Sequence, residues 1–166
     1  MDRILILMRH AKAIDRMEAE DDFQRGLTPR GHDDSHQAAN ALARLELSAE
    51  IALVSPAWRT RQTWDHLAPL LGNPLIEDPM ALYHASTEML ERAARTAFTR
   101  ASRLVMVGHN PGIGGLAHKL AARCGAASAL PMGYPTATAA AFALSGDALD
   151  EPTLIGVFTT GDHNPD

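Results

Sequence analysis

Four side chains on three widely separated segments have the chemical types needed to handle a tetrahedral dianion. They are Arg9 and His10, then Arg59, then His109. Arginine presents a planar fork of donors that matches phosphate oxygens and stays charged at every relevant pH. An imidazole can act as nucleophile when one ring nitrogen is bare and the other donates to a fixed acceptor. The corresponding chemistry is in-line attack of His10 on phosphorus, giving a covalent phosphohistidine that water hydrolyses. Arg9, Arg59 and His109 would stabilise charge on the equatorial oxygens, which is most of what phosphoryl transfer requires.

Each of these residues follows an apolar run. Ile4-Leu5-Ile6-Leu7-Met8 reads as a strand buried on both faces that stops at Arg9-His10. Ile51-Ala52-Leu53-Val54 reads as a second, ending at Ser55-Pro56 with Arg59 in the first turns of a helix that extends to about residue 71. Leu104-Val105-Met106-Val107 is the third, ending at Gly108-His109-Asn110-Pro111-Gly112, and a helix over 113–123 follows. Thr28-Pro29, a hydroxyl N-cap before a first-turn proline, starts a helix expected to reach about residue 47, and Ser86 caps another to about residue 99. A weak strand at 75–76 and closing strands over 136–144 and 153–159 complete the reading. The polar stretch 11–26 is expected to be a long loop over the sheet edge without structure of its own, and 161–166 a frayed tail. Strands alternating with helices imply a mainly parallel sheet covered by helices. In such a sheet the strand ends lie on one edge, so the three polar ends can converge.

The chain of 166 residues is long enough for one domain, taken as 1–166, and too short for two ordinary ones. A formal net charge of -5 argues against a nucleic-acid partner bound through a general basic surface, so any anion site must be a local arginine cluster. Cys124 is the only cysteine, which excludes an intramolecular disulfide and a thiolate metal cluster. No signal peptide is visible, and no apolar run approaches the roughly 18–20 residues of a membrane span. A soluble, cytoplasmic, monomeric protein with no membrane partner is the expectation. Gly108, Gly112, Gly114 and Gly115 lack the lysine of a Walker loop and read as strand-to-helix turns facing an anion. His32 and His36 have the helical spacing of two zinc ligands, but no glutamate lies between them as in His-Glu-x-x-His and no third ligand is evident, so no metal is expected.

Leu7-Met8-Arg9-His10-Ala11 resembles the Arg-His-Gly signature of the histidine phosphatase superfamily, which includes the phosphoglycerate mutases. Ser55-Pro56-x-x-Arg59-x-x-Gln62-Thr63 is similar to that family's second motif, and Val107-Gly108-His109-Asn110-Pro111-Gly112 to its third. With Arg25-Gly26-Leu27-Thr28-Pro29-Arg30-Gly31 and Tyr134-Pro135-Thr136, the likeness spans most of the chain and is nearest the short SixA-type phosphohistidine phosphatases. The resemblance implies a three-layer α/β/α sandwich with one antiparallel strand in a mainly parallel sheet. It also implies His10 as nucleophile, Arg9, Arg59 and His109 as the phosphate pocket, and no cofactor. Lys12, Arg16, Asn110 and His84 are further candidates for touching phosphate or lining the site.

Two positions depart from the pattern. Ala11 stands where the signature has glycine, a small change. The glutamate that protonates an alcohol leaving group in larger members has no clear equivalent: Leu82-Tyr83-His84 falls where a Leu-x-Glu pattern would be sought, leaving Glu77 and Glu88 as stand-ins. A missing general acid costs an alkyl phosphate about 10²–10⁴ in rate, but matters less for phosphohistidine, whose ring leaves neutral when already protonated. The expected substrate is therefore phosphohistidine on a signalling or phosphocarrier protein. The alternatives are a small-molecule phosphomonoesterase acting on sugar phosphates or nucleotides, and a non-catalytic phosphate- or phosphoprotein-binding module.

Overall fold

The computed structural model describes residues 3–145 and 149–160; the expected tail at 161–166 lies outside them. Six strands form one sheet: β1 (Arg3–Arg9), β2 (Ile51–Val54), β3 (Leu75–Glu77), β4 (Arg103–Gly108), β5 (Ala139–Ser145) and β6 (Glu151–Phe158). Their spatial order is β3-β2-β4-β1-β5-β6. The pairs β3/β2, β2/β4 and β4/β1 are parallel, and β5 runs antiparallel to both its neighbours. Four α-helices cover the sheet: α1 (Pro29–Arg44), α2 (Trp58–Leu67), α3 (Thr87–Ala97) and α4 (Gly112–Arg123). This is the expected α/β architecture, mainly parallel with one reversed strand.

Side chains alternate across β1. Leu5 and Leu7 enter a core with residues of α3 and α4, while Ile6 and Met8 enter a second core with residues of α1 and α2. Both faces are covered, which is why β1 reads as an unbroken apolar run. Since β4 lies between β2 and β1, the ends Val54-Ser55, Gly108-His109 and Arg9-His10 are neighbours along one edge. Arg9 is in register with Gly108, and Val54 with Val107.

Several boundaries differ from the expectation for physical reasons. The first helix stops at Arg44 because Glu46 turns left-handed (φ 59°). The second stops at Leu67; Pro69 cannot donate to the preceding turn, and the chain tightens into a 3-10 segment, Ala68–Leu71, closed by Gly72 at φ 89°. The fifth strand begins at Ala139, after Ala137 in the left-handed region. The largest difference is in 11–26, which is not structureless. Its stem is bridged between Ala13 and Leu27, a 3-10 turn spans Arg16–Glu18, and the Phe23 carbonyl accepts a bond from the Trp58 amide (3.0 Å) at the start of α2. The loop is thus tied to the helix that carries Arg59.

The segment after β3 is held just as closely. A Cβ on Gly112 would lie 2.1 Å from the backbone carbonyl oxygen of Ala85, so only glycine lets α4 approach the 82–85 turn. The Gly112→Ala protein is expected to lose about 1–3 kcal/mol through forced backbone displacement, read as a lower denaturant midpoint at unchanged slope.

Candidate functional site

His10 is buried, and its Nδ1 lies 2.7 Å from the carbonyl oxygen of Ala11. A carbonyl only accepts, so Nδ1 carries the proton and Nε2 is left with a free lone pair in the neutral ring. Burial, followed by the neighbouring His109 and then by Arg59 and Arg9, holds the imidazole well below its ordinary range, against an opposing hydrogen bond to Ala11. Next to it, the Ala11 amide donates to Thr63 Oγ1 (3.0 Å).

His109 is also buried, its ring centroid 5.4 Å from that of His10. Arg59 Nη2 lies 3.4 Å from His109 Nδ1, and because a guanidinium only donates, Nδ1 is the acceptor. The proton therefore sits on Nε2, which donates to Ser55 Oγ at 2.8 Å. Burial, the charge of Arg59 and the presence of His84 lower this imidazole to about 3, with Asp22 opposing. Both rings are thus neutral at physiological pH, in a cleft whose fixed charges include two buried guanidiniums.

Arg9 ends β1 and points Nη1 at the carbonyl of Tyr134 (3.4 Å). Tyr134 is itself fixed by a bond from its buried hydroxyl to the Leu7 carbonyl (2.7 Å). Arg59, on the first turn of α2, is 2% exposed. Its Nη1 donates to the Asp22 carbonyl (2.7 Å) and its Nη2 to Asp22 Oδ2 (3.1 Å), while its buried Nε has no hydrogen-bond partner. A buried donor left unmatched is costly.

Asp22 and Tyr83 complete the mouth of the cleft, and neither stood out in the sequence. The Tyr83 hydroxyl donates to Asp22 Oδ2 at 2.5 Å, and Arg25 Nη1 to Asp22 Oδ1 at 3.1 Å. Burial alone would raise the Asp22 carboxyl, but the bonds from Tyr83 and Arg25 and the charge of Arg59 outweigh it and hold the group far below the usual carboxylate range. His84 is brought to the same place. Its backbone is left-handed (φ 58°), its ring centroid lies 4.0 Å from that of Tyr83 and 5.0 Å from that of His109, both pairs tilted, and its Nε2 lies 3.3 Å from Asp22 Oδ2. A non-glycine residue in that region is uncommon and tends to mark sites where geometry matters.

Other candidates lie elsewhere or are engaged differently. Glu77 is not a proton donor for this cleft: on edge strand β3 it is held by both terminal nitrogens of Arg100 (2.8 and 3.0 Å), which keeps it ionised. Glu88 is not one either; it is exposed on α3 in a shallow groove with Glu91, Arg92, Arg95 and Lys119. Asn110 is occupied as a brace: Nδ2 donates to the carbonyls of Gly133 (2.8 Å) and Tyr134 (3.1 Å), and Oδ1 accepts from the Gly114 amide (3.0 Å). Lys12 gives its carbonyl to the Thr28 amide (3.0 Å), and exposed Arg16 closes its own 3-10 turn onto the Ala19 carbonyl (3.4 Å). His32 Nδ1 and His66 Nε2 share a hydrogen bond (2.9 Å), and among the described residues no group of three or more His, Cys, Asp or Glu is placed to hold a metal ion. Nor, among them, is any helix long and apolar enough to cross a membrane.

A parallel sheet edge with paired buried arginines and imidazoles defines the histidine phosphatase class. The chain belongs to the histidine phosphatase superfamily: the model of its branch 1 matches residues 5–81. An uncharacterised protein of Picosynechococcus is 34% identical over 119 residues, 70% of this chain and 72% of that one. Among solved structures, the chain is similar to a protein of Agrobacterium tumefaciens assigned as the phosphohistidine phosphatase SixA, with 26% identity, a TM-score of 0.83, and coverage of 96% of this chain and 99% of that one. It shares its fold with the protein histidine phosphatase SixA complexed with tungstate, at 24% identity and a TM-score of 0.76 over 94% and 96% of the two chains.

Proposed function

We propose that this phosphatase works through a covalent phosphohistidine on His10 and that its substrate is phosphohistidine carried by a signalling or phosphocarrier protein. The observation that carries the reading is the character of Asp22, the carboxyl group to which, among the described residues, Arg59, Tyr83 and His84 turn. Asp22 is locked in its ionised form by Tyr83, Arg25 and Arg59. It cannot lend a proton to an alkoxide, so a leaving group that needs none from the enzyme suits this site best. The likeness to SixA supports the same substrate class.

In the first step the Nε2 lone pair of His10 attacks phosphorus and the bond to the leaving nitrogen breaks. Arg9 and Arg59 hold the equatorial oxygens while charge redistributes among them. Phosphorylated His10 keeps its Nδ1 proton on the Ala11 carbonyl, so when water attacks phosphorus the ring departs neutral.

The purified chain is expected to dephosphorylate a phosphorylated histidine carrier domain much faster than sugar phosphates or nucleotides at equal concentration. Efficient cleavage of the small esters with the carrier untouched would overturn the assignment. A second expectation follows from the neutrality of His10. The ring is held well below its ordinary value of 6.5, so kcat/KM on an ester substrate should not fall as the pH drops through 6.5, and the acid limb belonging to His10 should lie lower. A limb centred at 6.5 and removed by substituting His10 would contradict the deprotonated nucleophile.

A further inference from the structure

The transfer proposed above passes a phosphoryl group from one imidazole to another, and only one of the two has a visible proton anchor. On the enzyme's side, the Ala11 carbonyl at 2.7 Å keeps the distal nitrogen of His10 protonated. The leaving ring has the same requirement. If its distal nitrogen is bare, cleavage of the P–N bond expels an imidazolate; if that nitrogen carries a proton, the electron pair returns to a neutral ring. An acceptor for the distal N–H is therefore needed at the cleft mouth.

We propose that Asp22 is that acceptor, a substrate-binding residue that takes the distal N–H of the incoming phosphoimidazole and holds the ring cationic until the P–N bond breaks. The inference rests on the phosphohistidine reading and adds the group that selects for it. Three observations place the role on Asp22. Its Oδ2 lies 3.1 Å from Arg59 Nη2, so a ring attached to phosphate in this cleft comes within its reach. Among the described residues, it is the carboxylate to which Arg59, Tyr83 and His84 all turn. The structure also already sets an imidazole against it, since His84 Nε2 sits 3.3 Å from Oδ2 on a side chain that is 54% exposed. Of the three donors on Oδ2, His84 has the longest bond and the greatest exposure, and it is the one a substrate ring can replace.

The step balances. Electrons from His10 Nε2 form the new P–N bond, those of the old P–N bond return to the leaving nitrogen, and the ring departs neutral with its distal proton in place. Asp22 gains and loses no proton. A fixed anion at the mouth also repels substrates with a second negative charge near the phosphate, such as carboxylated sugar phosphates.

The test compares N-phosphoimidazole with 4-nitrophenyl phosphate, whose leaving group needs no proton, in the parent and in Asp22→Asn. Both rates are expected to fall, because Arg59 loses a charged partner, but the ratio of kcat/KM for phosphoimidazole to that for the ester should drop by about 10²-fold, the scale of a lost proton-positioning group. The groups facing Asp22 are Arg25, Arg59, Tyr83 and His84, and the same pairs of rates across pH separate their effect from that of the substrate ring. The parent should hold its phosphoimidazole rate to higher pH than the variant, whose substrate loses its distal proton sooner. Equal losses on both probes with no change in pH profile would overturn the role of Asp22 while leaving the phosphohistidine reading intact. A parent that cleaves the ester but not phosphoimidazole would overturn that reading itself. A second variant, His84→Asn, keeps a residue suited to the left-handed backbone and removes the resident imidazole. It should lower KM for phosphoimidazole, and a fall in kcat on both probes would instead make His84 a participant in proton transfer and overturn its replacement by the substrate ring.

Discussion

His10→Ala is expected to leave no phosphoenzyme and to lower turnover by about 10³-fold or more, the scale on which removing a covalent nucleophile acts. The substitution takes away a buried lone pair prepared for phosphorus. His10 Nε2 is bare because Nδ1 is committed to Ala11, whereas His109 holds its proton on Nε2 and offers Nδ1 to Arg59. The two rings are 5.4 Å apart yet chemically distinct, and His109 cannot take over without exchanging both of its hydrogen bonds. The measurement is trapping from a labelled phosphoryl donor. The parent should yield an acid-labile, base-stable label that is absent from the variant. Residual hydrolysis in the variant would reflect Arg9, Arg59 and His109 acting on water as the nucleophile. An equally labelled variant would remove His10 from its role.

Much of this cleft was legible because its residues close apolar runs. Arg9, His10 and His109 end strands, and Arg59 follows Ser55 by one turn, so a parallel sheet predicts a common edge. What the sequence could not show was the contribution of the loops. Asp22 sits in an acidic group with Glu18, Glu20 and Asp21, and no periodicity marks which of these carboxylates turns inward. The faint signal was its place three residues before Arg25, the partner that holds its Oδ1. Arg25 is itself half-buried and donates Nε to the Ile14 carbonyl at 2.8 Å. Tyr83 and His84 stand after a weak edge strand, and His84 reaches the cleft only through its left-handed backbone, which residue type permits but does not demand. Glu77 failed as a proton donor for a related reason. Position relative to a motif located it near the right loop, but a strand residue points where the pleat sends it, and here that is toward Arg100.

Arg59→Ala should lower kcat by at least about 10²-fold, equivalent to about 2.7 kcal/mol of lost transition-state stabilisation. Arg59 joins Asp22 on the loop to His109 at the end of β4. It bonds the backbone and side chain of Asp22 and donates to His109, and it is buried almost completely. Lysine should restore little, because an ammonium cannot reproduce a planar fork that reaches Asp22, His109 and phosphate together. A spectroscopic signature separates loss of this hub from general damage. Burial is the main cause of the low imidazole value of His109 and the charge of Arg59 the second, so the variant's His109 should titrate above its parent value of about 3, moving toward 6.5, when followed by the ring-proton resonances. Loss of activity without that movement would indicate a collapsed cleft, and near-parent turnover would take Arg59 out of the phosphate pocket. With Arg59 absent, Asp22 also loses the charge that helps hold it ionised. The bonds from Tyr83 and Arg25 remain, so the carboxyl should still titrate below the ordinary range, and the loss of rate should then report the guanidinium rather than a change in the charge of Asp22.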